Sequence, residues 1–127
     1  LIECRVKGAR SVKSARNVAK SVIKSSLVKA AMFGADANWG RVLCAIGYSG
    51  ELVDPYRIDV CFGSAAGEIC VCRDGRGVEF DEDKAKKVLS EDEVTIDVDL
   101  GSGRYGATAW GCDLTYDYVR INGDYRT

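Results

Sequence analysis

The hydrophobic period changes between the first strand and the first helix, and no other feature restricts the fold more. From Leu1 to Lys7 apolar and charged residues alternate, with Ile2, Cys4 and Val6 on one side and Glu3, Arg5 and Lys7 on the other. A period of two describes a half-buried strand, which Gly8 ends. Beyond Ser11 the period becomes helical, because Val12, Ala15, Val18, Ala19, Val22 and Ile23 recur at three- and four-residue steps. Arg10, Lys13, Arg16, Lys20 and Lys24 take the opposite side and Ser11 is placed to cap, so the pattern predicts a helix over 11–24. An apolar strand face followed at once by an apolar helix stripe must bury the two against each other.

The same reading continues downstream. Leu27–Phe33 is a short apolar run and is expected as a strand. Trp39, Val42, Leu43 and Ile46 fall at helical spacing up to Gly47, with Asp36 or Asn38 as cap. Arg57–Phe62 and Glu68–Cys72 are β-like runs around Gly63–Gly67, and a turn at Asp74–Gly75 leads into Val78–Phe80. Asp81, Glu82 and Asp83 open a third helix whose later Lys84, Lys86 and Lys87 suit its dipole, with an end near Ser90. Val94–Leu100 alternates, and Ala107–Cys112 is expected as its return strand. The expected fold is therefore α+β: a single domain with a mixed or mainly antiparallel sheet and about three helices on one face. A chain of 127 residues is long enough for one core without metals or disulfides.

Charge and residue usage remove several function classes. The net charge of -1 conceals two unlike halves: residues 1–50 hold 9 Lys and Arg against 2 Asp and Glu, and residues 51–127 hold 9 against 17. The basic helix 10–24 could hold an anionic partner as a stand-alone binding module. No aromatic residues interleave with its cations, so a solvated helix face is preferred and nucleic acid is not expected. Histidine is absent, which excludes Ser-His-Asp and Cys-His catalysis within the chain and any mixed Cys/His zinc site.

The six cysteines contain no C-x-x-C pair. Cys70 and Cys72, two apart on a strand, should share a face, and all six are expected as free, mostly buried thiols in a reducing cytosol. Cys112 beside Asp113 is not activated, since a neighbouring carboxylate raises a thiol's pKa. Neither metal nor cofactor is expected. Gly101-x-Gly103-x-x-Gly106 matches a dinucleotide fingerprint in letters, but no helical period follows it, so a glycine-rich hairpin loop is expected.

Asp97 and Asp99 share a strand face, read as the solvent side of an edge hairpin. Asp36–Arg41 gathers a cap, an aromatic ring, a glycine and a cation at a helix entrance; a structural cap over a packed Trp39 is preferred to an anion site. No apolar run reaches the roughly 18 residues a membrane helix needs and no signal pattern opens the chain, so a cytoplasmic protein is expected.

The C-terminal stretch stays rich in Tyr116, Tyr118, Ile121 and Tyr125 where chain ends usually fray, so a docked terminus is expected. Asp36-Ala-Asn-Trp-Gly-Arg41, with Ala107-Thr-Ala-Trp-Gly-Cys-Asp-Leu-Thr-Tyr-Asp-Tyr-Val-Arg-Ile-Asn122 and Asp124-Tyr-Arg-Thr127, closely resembles the C-terminal part of the ornithine acetyltransferase family, the bifunctional glutamate N-acetyltransferases of arginine biosynthesis. Gly123 stands where the family pattern carries alanine, so a small residue is kept.

The resemblance implies a precursor that cleaves itself before a threonine, whose new N-terminal Thr carries the acetyl group from N-acetylornithine to glutamate. An N-terminal Thr needs no histidine. It implies that residues 1–127 are the C-terminal domain of the β chain, lacking the nucleophile-bearing part and inactive alone. No residue here is expected to be catalytic; Asn122 and Thr127 match positions that bind substrate. The implied partners are the α chain and the remainder of the β chain, in a heterotetramer or larger assembly. Whether acetyl-coenzyme A also serves as donor is left open.

Overall fold

The computed structural model describes residues 1–112 and 116–121, with side chains through Gly111. β1 (Ile2–Ala9) leads into α1 (Val12–Lys24), α2 (Ser26–Phe33) and α3 (Trp39–Gly47); a 3₁₀ turn at Pro55–Arg57 precedes β2 (Asp59–Ser64), β3 (Gly67–Arg73) and the two-residue β4 (Arg76–Gly77). α4 (Glu82–Leu89), β5 (Val94–Asp99), β6 (Tyr105–Cys112) and β7 (Tyr116–Ile121) complete the described chain. The seven strands form one open sheet in the order β4-β3-β2-β5-β1-β6-β7. β1 and β5 run parallel and the remaining pairs antiparallel, so the sheet is mixed.

Local chemistry explains the helix starts. Ser11 Oγ accepts the Ser14 amide at 3.0 Å, Asn38 Oδ1 accepts the Arg41 amide at 3.1 Å, and Asp81 Oδ1 accepts the amides of Asp83 and Lys84. α1 packs on β1 and β6, and α4 on β2 and β3, against the apolar face of the sheet. That face supplies Cys4, Val6, Val60, Phe62, Ile96, Val98, Ala107 and Ala109, all at most 2% exposed.

Three expectations are corrected. Leu27–Phe33 lies in α2 instead of a strand, which makes four α-helices among the described residues: Ser25 closes α1 with its backbone N–H and caps α2 through Oγ on the Val28 amide at 3.1 Å. Val28, Ala31 and Met32 then form a buried helical stripe. β5 and β6 are not a hairpin, because β1 lies between them. Their connection crosses the end of β1, where the Ser102 amide donates to the Gly8 carbonyl at 2.8 Å and a Cβ on Gly103 would stand 2.8 Å from the Ala9 carbonyl carbon. The glycines there allow close backbone approach, and the strand β6, not a helix, directly follows them.

The third correction concerns cysteine. Cys61 and Cys70 are joined by a disulfide, while Cys4 and Cys72 are free and buried and Cys44 is free and exposed. Val60 registers with Cys72 but Cys61 with Cys70, leaving Val71 as an extra residue in a β-bulge. The bulge reverses the alternation, so Cys70 and Cys72 take opposite faces. Cys72 Sγ turns inward to the Ile58 carbonyl at 3.7 Å.

Candidate functional site

The sheet face away from the helices carries the side chains with chemistry. Strand alternation sets them in three rows. Glu68, Gly63, Thr95, Glu3 and Trp110 form one by register, Cys70, Cys61, Asp97, Arg5 and Thr108 the next, and Asp59, Asp99 and Lys7 the third. Asp97 and Asp99 thus sit on a central strand flanked by β2 and β1, which corrects the edge-hairpin expectation.

Arg5 does not clasp Asp97 across the strands. Its Nε donates to Glu3 Oε2 on its own strand at 2.6 Å, and this partner raises the guanidinium pKa further. Asp97 receives a long contact of 3.4 Å from Thr95 Oγ1. Burial raises the Asp97 carboxyl above the usual carboxylate range against the pull of Arg5, and Glu68 adds to the rise. Arg73 Nη1 and Asp59 Oδ2 are 3.8 Å apart at the rim. A cavity of about 450 Å³ lies among Arg5, Asp59, Cys61, Glu68, Asp97 and Thr108. Ranked acids and cations with a loosely held carboxyl suit the binding of groups of both signs; the Thr95 hydroxyl, 3.4 Å from Asp97, is too weakly coupled to act as an activated nucleophile.

The thiols beneath this face are inert. Cys4 is pushed well above the usual thiol range by burial, with Asp97 and Glu3 adding to it, and Cys72 is raised by burial and then by Asp59. Among the described residues no group of Cys, Asp and Glu gathers as a metal-ligand set.

The entrance of α3 is a structural cap. Asn38 Nδ2 donates to Asp36 Oδ2 at 3.2 Å, and Arg41 Nη1 donates to the Leu27 carbonyl at 3.0 Å, tying α3 to α2. Trp39 lies on Gly77, where a Cβ would come within 2.5 Å of the indole. On α1, Lys13 and Lys24 are exposed while Arg16 and Lys20 are half-buried, as on an ordinary solvated face.

Asn122 and Thr127 lie outside the described residues, as do the side chains of Cys112, Tyr116, Tyr118 and Ile121. The backbone of β7 is described as far as Ile121, which registers with Ala107, itself opposite Val6. The polar rows were not foreseen, because Arg5, Thr108 and Asp97 meet only through pairing between distant segments. The alternation of β1 and that of Val94–Leu100, which sets Asp97 and Asp99 on one face, are the signals that pointed to them.

Among the described residues no helix is long and apolar enough to cross a membrane. The ArgJ family profile matches residues 1–127. The chain is 55% identical over 127 residues to "Arginine biosynthesis bifunctional protein ArgJ 1" of Clostridium acetobutylicum, covering 100% of this chain and 31% of that protein. It is 53% identical over 127 residues to "Glutamate N-acetyltransferase" of Methanopyrus kandleri, covering 100% of this chain and 32% of that one. The crystal structure of an arginine biosynthesis bifunctional protein from Bacillus halodurans superposes with a TM-score of 0.82 at 46% identity, covering 92% of this chain and 54% of that chain. The chain thus spans about a third of the length of these curated relatives.

Proposed function

The chain belongs to the ArgJ family, and from that premise we propose that it is the C-terminal domain of the β chain of a glutamate N-acetyltransferase acting in the cytoplasm. The observation that carries this reading is the match over all 127 residues to relatives about half identical to it, one named as a bifunctional protein of arginine biosynthesis and one as a glutamate N-acetyltransferase. In the proposed reaction a threonine outside this chain attacks the acetyl carbonyl of N2-acetyl-L-ornithine, ornithine leaves as the amine, and the amino group of L-glutamate takes the acetyl group from the threonine ester.

This chain contributes recognition. Asn122 offers an amide donor and acceptor, and Thr127 a hydroxyl, to the α-amino and α-carboxylate groups of both amino acids. Holding that end steadily is a positioning task, separate from moving the acetyl group. The chain also supplies subunit contacts to the α chain and the rest of the β chain in a heterotetramer or larger assembly.

Intact masses of the purified complete protein are expected to reveal companion chains, one beginning with threonine. Asn122→Ala and deletion of Thr127 in that protein are expected to raise KM for acetylornithine and glutamate while self-cleavage continues. Unchanged kinetics in both variants would remove the recognition role; acetyl transfer by residues 1–127 alone would overturn the assignment of chemistry to another chain.

A further inference from the structure

We propose that Cys61 and Cys70 are a reversible thiol–disulfide modification site that locks the β2–β3 hairpin on the polar face of the sheet. The pair is assembled by strand register: the two residues stand directly opposite across the turn 64–67, and the bulge at Val71 sends the nearby Cys72 to the other face. Cys72 is thereby excluded as an exchange partner, with its thiol buried on the Ile58 carbonyl. Cys61 and Cys70 are themselves half-buried, and Cys61 lines the open cavity with Asp59, Glu68 and Asp97. A small thiol reagent can therefore reach the pair without unfolding of the core.

The position gives the bond a local effect. β3 is paired along its length with β2 on one side, but on the other, among the described residues, with the two residues of β4 and through one bond from the Val78 amide to the Val71 carbonyl at 3.1 Å. A cross-link between β2 and β3 holds this margin to the body of the sheet. The sulfurs lie on the polar face, so making or breaking the bond leaves the apolar packing of Val60, Phe62, Ile69 and Cys72 in place.

The oxidant and reductant are low-molecular-weight disulfides and thiols of the glutathione class. One protein thiolate attacks a sulfur of the oxidised reagent and expels one reagent thiolate. The second protein thiolate attacks the resulting mixed disulfide and expels the other. Two protein thiols and one reagent disulfide thus become one protein disulfide and two reagent thiols.

The test uses the complete protein that carries this chain, equilibrated in buffers from reduced to oxidised glutathione, acid-quenched, alkylated and mapped by mass spectrometry. The fraction of peptide cross-linked between positions 61 and 70 should rise with oxidised glutathione and vanish in dithiothreitol. Amides of β3 should exchange with deuterium roughly tenfold or more slowly in the oxidised form, with β1 and β5 unchanged. Cys70→Ser should abolish the cross-link, and Cys44→Ser should leave it. The proposal is overturned if both cysteines are alkylated at every ratio, if the bond involves another cysteine, if dithiothreitol leaves it intact in the native protein, or if hydrogen exchange is the same in both states. The oxidised and reduced wild-type proteins decide these points even where a serine variant fails to fold.

Discussion

The two faces of the sheet are made from alternate residues of the same strands, yet they hold the molecule together by different physics. On the helix side Val6, Val60, Phe62, Ile96 and Val98 are removed from water, and their contribution follows buried apolar area. On the other side Glu3, Arg5, Asp59, Asp97 and Asp99 meet as half-exposed or exposed charges, where solvent screens each pair. One face therefore stabilises the fold, while the other is free to vary its chemistry at small cost to stability.

Phe62→Ala tests the contrast most severely. It should destabilise the chain by about 3–5 kcal/mol in denaturant unfolding, whereas Thr95→Ala, one strand away on the polar face, should change stability by less than about 0.5 kcal/mol. A comparable loss at both positions would refute the distinction. Gly8→Ala comes next, at about 2–3 kcal/mol, because Gly8 has φ of +73° and a Cβ there would stand 2.8 Å from the Gly101 amide nitrogen. Ser11→Ala removes the cap that aims α1 at the apolar face and should cost about 1 kcal/mol by the same measurement.

The smallest expected effect belongs to Asp97→Asn and has a sign that follows from burial. The folded state raises this carboxyl's pKa, so it favours the protonated form. Its contribution to stability is full below the ordinary carboxylate pKa and is lost as pH rises through the folded value. The asparagine variant escapes that loss. Its melting temperature should exceed that of the parent at neutral pH, and the difference should vanish near about pH 3. A lower melting temperature at neutral pH would mean that the attraction to Arg5 outweighs desolvation.

Much of the fold was legible where one residue decides a local event. Ser11 was readable as a cap, Asp36 or Asn38 as the alternatives for α3 and the Asp81–Asp83 cluster as a helix start, because a side-chain oxygen at a helix start has few other uses; the structure selects Asn38 and Asp81. The β2–β3 hairpin was readable because its pairing is local. Leu27–Phe33 is ambiguous in sequence because a short run, apolar except for Lys29, fits a strand or a buried helix; the double role of Ser25 decides for the helix. The place of β5 beside β1 was not readable, since its alternation says that it has two faces but not which strands flank it.

The candidate site divides in the same way. The C-terminal motif carried the family resemblance, and the ArgJ profile covers the same residues. The polar rows and the Cys61–Cys70 bond emerged only with the strand register and the bulge at Val71.

By itself the sequence determined the family, the period of nearly every element and the caps, because these depend on residue identity and near neighbours along the chain. Only the tertiary structure decided that β1 lies between β5 and β6, that Asp97 is a central half-buried carboxyl, and that Cys61 meets Cys70 while Cys72 turns inward. The first two outcomes depend on long-range strand pairing; the third depends on the bulge, since a single extra residue in one strand reverses which face every later side chain takes.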